Sequence, residues 1–74
     1  MEPHEITRRR TTLGLSLAAL AREIGVDRAT VHRWEAGKSC PRGAASTALA
    51  LTFARLERNK ARRVTQYVPA TPTD

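Results

Sequence analysis

The side chains best placed to do chemistry in this chain are cations. Arg8, Arg9 and Arg10 form one cluster, Arg28, Arg33, Lys38 and Arg42 a second, and Arg55, Arg58, Lys60, Arg62 and Arg63 a third. From Arg28 to Arg63 nine basic residues stand against two acids, Glu35 and Glu57. Guanidinium and ammonium groups carry charge and only donate hydrogen bonds, so their chemistry is recognition of anions. Any one cluster reads equally well as a solvated helix face. Three clusters in 74 residues, with a net charge of +6, point to a polyanion. Nucleic acid is the first expectation and an anionic membrane surface the second.

Other chemistries lack their residues. No nucleophile–base set, paired carboxylates or phosphate-cradling loop is present, so no enzyme is expected. His4, His32 and Cys40 do not have metal-ligand spacing, so neither a metal nor another cofactor is expected. A lone cysteine rules out an internal disulfide framework and fits a reducing, cytoplasmic setting. Cys40 itself reads as a passive loop residue, with a redox handle as the alternative. Trp34, Phe53 and Tyr67 are the only aromatics, too few for a platform that stacks single-stranded bases. No apolar stretch is long enough for a membrane span or a signal peptide.

The elements that must carry the cations are helices. Length allows one small domain, and 41% hydrophobic residues allow a modest core. Residues 3–13 read as a first helix, with Pro3 in the first turn and Ile6, Arg10 and Leu13 on one face. Gly14 supplies a stop. Ser16 reads as the N-cap of a second helix whose apolar face is Leu17, Leu20, Ala21 and Ile24, with Leu15 and Leu20 at staple spacing. Asp27 reads as the N-cap of a third helix, with Val26 and Val31 repeating the staple. Val31 and Trp34 point inward, and Arg28, Ala29, His32 and Arg33 point outward. Gly37 ends that helix. Ala45, Ala48, Leu49, Thr52, Phe53 and Leu56 mark a fourth helix from about Gly43 to Arg63. Residues 1–63 are therefore read as the domain and 64–74 as a tail, in which Val64–Val68 could form a short strand and which, with the end of the fourth helix, could supply a dimer contact.

The link Gly25-Val26-Asp27 is too tight for antiparallel packing of the second and third helices. It sets them at a steep angle, the helix-turn-helix arrangement. Ala21 is small where the helices must cross, and Gly25 can take the positive φ that a branched residue resists.

These residues carry a resemblance. Leu13-Gly14-Leu15-Ser16, Leu20 to Val26, Thr30 to Lys38, and Pro41 together resemble the phage repressor and Cro-like helix-turn-helix family, over roughly residues 5–57. The resemblance implies an all-α, compact four- to five-helix domain of the lambda-repressor type. It implies a third helix lying in the DNA major groove, and a homodimer on a pseudo-palindromic operator. Carried over position by position, the base-reading candidates are Arg28, Ala29, His32 and Arg33. The phosphate candidates are Arg9, Thr30, Lys38, Ser39 and Arg42, with the backbone N–H groups near Leu17. Arg10 and Glu35 stand where similar repressors join the first helix to the third by an ion pair. Two positions depart from the family pattern. Leu17 replaces a glutamine that touches DNA, and Ala19 replaces a glutamate that completes a capping box with Ser16.

The expected function is that of a sequence-specific binder of double-stranded DNA, a small transcriptional repressor like those of phages, plasmids and other mobile elements. The alternative is an antitoxin-like module whose C-terminal part, residues 57–74, binds a partner protein. No membrane partner is expected, because a surface-lying peptide needs neither Gly25 nor Ala21.

Overall fold

The computed structural model describes residues 1–66, with side chains to residue 62. Among the described residues four helices follow one another: α1 Pro3–Thr12, α2 Leu17–Ile24, α3 Arg28–Glu35 and α4 Gly43–Gln66. No strand occurs among the described residues, and the fold is all-α. None of these helices is long and apolar enough to cross a membrane.

Each boundary has a local cause. Pro3 opens α1, where a missing N–H costs no hydrogen bond. Glu5 lies in the first turn, and Arg9 and Arg10 lie in the last, matching the helix dipole at both ends. α1 then closes with Gly14 N–H on the Thr11 carbonyl at 2.9 Å and Leu15 N–H on the Arg10 carbonyl at 3.1 Å, a Schellman stop. Ser16 and Asp27 are extended, at ψ 168° and 162°, and their side chains accept the N–H of Ala19 and Thr30 respectively. Ser16 thus caps α2 without the glutamate of a full capping box.

Between α2 and α3, Gly25 stands at φ +95°. The N–H groups of Gly25 and Val26 both donate to the Ala21 carbonyl, at 2.8 and 3.0 Å. A Cβ added at Gly25 would meet no atom within 4 Å, so glycine is required there for its dihedral rather than for space.

The core comprises Ile6 from α1, Leu20 and Ala21 from α2, Val31 and Trp34 from α3, and Leu49 and Phe53 from α4. Leu13, Leu15, Leu17, Ile24, Val26 and Ala45 pack around it. Each fully buried side chain of this kind contributes about 1.5–3 kcal/mol. α3 is held by its neighbours α1 and α2, which is what presents its opposite side to solvent. α4 continues as helix through Val64–Gln66, across the expected boundary at residue 63. The strand expected at Val64–Val68 does not form over Val64–Gln66, where α4 runs on because no glycine or proline between Gly43 and Gln66 interrupts its hydrogen-bond ladder. Residues 67–74, which hold the rest of the tail expected to make a dimer or partner contact, lie outside the described residues.

Candidate nucleic-acid interface

Two faces of α3 divide its work. Val31 and Trp34 are buried at 0% and 4% exposure, which fixes the rotation of the helix about its axis. The other face then carries Arg28, Ala29, His32 and Arg33, all exposed. Trp34 is a core residue and is not available to insert between bases. The chain leaves α3 through a left-handed Gly37 at φ +76°, with Lys38 N–H returning to the Arg33 carbonyl at 2.9 Å. This stop pins the start of the next loop to the end of α3. Lys38, Ser39 and Arg42 are all exposed on that loop.

Leu17 splits into two parts. Its side chain packs against the core. Its backbone N–H belongs to the opening turn of α2, where helix N–H groups lack an internal partner and the dipole is positive. Ser16 takes up the Ala19 N–H at 3.0 Å, deeper in that turn.

Arg10 and Glu35 form a pair that ties α1 to α3. Arg10 donates through Nε to Glu35 Oε2 at 2.7 Å and through Nη2 to Oε1 at 3.0 Å. A third donor, Nη1, reaches the Leu15 carbonyl at 2.8 Å. Thr7 adds a fourth bond, its hydroxyl donating to Glu35 Oε1 at 2.9 Å. The two charged side chains are only 15% and 10% exposed. The hydrogen bonds to Glu35 hold the Arg10 pKa above its ordinary value against the opposing effect of burial. Glu35, the single acid within α3, is therefore turned away from the exposed face.

Arg9 is bound up elsewhere. Its guanidinium meets Glu57 through two bonds of 2.7 Å, from Nε and Nη2, and Nη1 lies 3.5 Å from Glu5. The same group sits over the Phe53 ring, 4.7 Å from its centroid. The hydrogen bonds from Arg9 hold the Glu57 carboxyl below the usual carboxylate range. A guanidinium held by two carboxylates and an aromatic face is poorly available to a phosphate, so Arg9 stands apart from Lys38, Ser39 and Arg42.

Thr30 is engaged within α3. Its hydroxyl donates to Asp27 Oδ1 and accepts from Arg33 Nη2 at 3.2 Å. The Asp27 carboxyl is held below its ordinary pKa, first by that hydroxyl and then by the Thr30 N–H. Spacing alone carried this signal, since Asp27, Thr30 and Arg33 recur every three residues on one helix edge. The remaining contacts have no such local sign. Arg55 donates to Glu23 at 2.9 Å, and Lys60 Nζ reaches the Thr12 carbonyl at 2.6 Å at the negative end of α1.

Carboxylates thus neutralise Arg9, Arg10 and Arg55. The side chains of Arg28, Lys38 and Arg42 have no hydrogen-bonded or ion-pair partner among the described residues. The arrangement offers an exposed helix and its following loop as a cationic, donor-rich surface. Cys40 lies on this loop, exposed and unpaired. No group of three or more His, Cys, Asp or Glu side chains that could hold a metal occurs among the described residues.

Comparison with known proteins agrees with this geometry. A family model described as helix-turn-helix matches residues 6–55, which takes in most of α1, all of α2 and α3, the cationic loop and the packed half of α4. No curated protein and no solved structure matches the chain.

Proposed function

The chain belongs to the helix-turn-helix family, a DNA-binding regulatory family, and from that premise we propose that it is a sequence-specific repressor acting as a homodimer on a pseudo-palindromic operator. The observation that carries the reading is the division of α3. One face is locked into the core by Val31 and Trp34, and the other exposes Arg28, Ala29, His32 and Arg33. An α-helix fits the major groove, where these side chains meet base edges.

The chemistry of each residue suits its place. Arg28 and Arg33 can each donate two hydrogen bonds to guanine, a contact worth about 1–3 kcal/mol of discrimination. Ala29 can touch a thymine methyl. His32 can donate or accept according to its tautomer. Lys38, Ser39, Arg42 and the N–H groups opening α2 at Leu17 would hold phosphates and set the register. The Arg10–Glu35 pair would keep α3 at its angle to α1. Two copies would place their α3 helices in successive major grooves, about 34 Å apart on one face of the DNA. Occupying an operator in this way would repress by excluding other proteins.

Selection of bound duplexes from a random library tests the proposal. The expected product is a two-fold related motif with half-site centres 10 to 11 base pairs apart, as one turn of DNA requires. Arg33→Ala should relax base preference at one position in each half-site. Recovery of no motif at all, with binding set by salt alone, would refute sequence-specific readout.

A further inference from the structure

Resting on the reading that the exposed face of α3 meets base edges, we infer that Asp27 and Thr30 form a clamp that sets the conformation of Arg33, which makes Thr30 a positioning residue for sequence readout. The three side chains form one hydrogen-bonded chain along an edge of α3. Asp27 Oδ1 accepts the Thr30 N–H at 3.2 Å, which anchors the carboxylate to the backbone of the first turn. The Thr30 hydroxyl donates to the same oxygen. With its proton directed at Asp27, that hydroxyl presents a lone pair to Arg33, whose Nη2 donates to it at 3.2 Å.

Two consequences follow from counting donors. A threonine hydroxyl has one proton. Here it is held by Asp27, so Thr30 has none to give a phosphate oxygen, and its side chain acts through Arg33 instead. Arginine has five N–H donors, and this clamp takes one. The rest of the Arg33 fork stays available for the paired acceptors of a guanine edge. An arginine with long, freely rotating torsions loses much entropy when it docks, and one already held near its working conformation loses less. Arg28, on the same face, has no such clamp and would serve as a less selective cation.

The test measures affinity by fluorescence anisotropy on a duplex recovered by selection and on its single-position variants. Arg33→Ala first identifies the base pair that Arg33 reads. Thr30→Val keeps the shape of the side chain and removes the hydroxyl. It should lower discrimination at that base pair by about threefold to tenfold, leave other positions unchanged, and leave the circular dichroism of the helices intact. Thr30→Ser, which restores the hydroxyl, should recover the preference. Asp27→Asn, whose Oδ1 still accepts both Thr30 bonds, should keep the preference, whereas Asp27→Gly, which is tolerated as a helix cap but has no acceptor, should lose it at the same base pair and serves as the second probe if Thr30→Val proves unstable. A uniform loss on every duplex, or an unaltered preference at the Arg33 position, would overturn the clamp. If Arg33→Ala shifts preference at no position, it is base reading by Arg33 that fails, an outcome distinct from failure of the clamp.

Discussion

At the scale of single residues, the same side chain type does opposite work depending on its partner. Arg10 is shielded, bonded through three nitrogens, and joins α1 to α3. Removing Glu35 would strand that guanidinium in a half-buried site. Glu35→Ala should therefore lower unfolding free energy by about 2–4 kcal/mol, read from the urea midpoint, because an uncompensated charge costs more than the intact pair contributes. Glu35→Gln, which still accepts hydrogen bonds, should cost less. Glu57 provides a pH test. Its carboxyl is held below the ordinary value of 4.5 by Arg9, so the folded state favours its ionised form. The resulting stability is present above the unfolded pKa and is lost as pH falls through the lower folded value. Thermal melts between about pH 5 and about pH 3 should show a shallower acid loss in Glu57→Gln than in the parent chain. Arg10 and Glu35 were legible as a pair only through the family resemblance. Arg9 was misleading in sequence, because a cation in a basic run carries no mark of the carboxylate it will meet.

At the scale of elements, the helix-turn-helix angle rests on a few local devices. Ser16 and Asp27 cap the two helices, Ala21 permits close approach, and Gly25 turns the chain at φ +95°. These were readable in sequence because caps and left-handed glycines act within four or five residues. Gly25→Ala isolates the dihedral, since open space surrounds the position. It should cost about 1–2 kcal/mol in chemical denaturation without altering the fold. Gly25→Val, whose branched Cβ resists the left-handed region more strongly, should cost more. DNA affinity should fall in step if the turn, by setting the angle of α3, also sets its fit to the groove.

At the scale of the whole molecule, charge and a small core act together. The net charge of +6 favours encounter with a polyanion at long range. If the proposed interface neutralises about four phosphates per chain, log affinity should fall with log salt at a slope of about −3.6 per chain, and about −7 for a pair. Lys38→Ala should make that slope shallower by about 1 per chain and weaken binding evenly across sequences. Anisotropy titrations at several salt concentrations would measure both, and an unchanged slope would remove Lys38 from the phosphate contacts.

The order of helices, their caps, the inward positions and the total charge were all determined by the sequence itself. Each depends on periodicity, on dihedral preference or on a simple sum of charges. Only the tertiary structure decided which cations stay available. Arg9 and Glu57 are 48 residues apart, and Arg55 and Glu23 are 32 apart. They meet because α4 folds back over α1 and α2 once Leu49 and Phe53 are buried. Ion pairing depends on distances of a few ångströms across that packed interface, and no local preference of the chain encodes them.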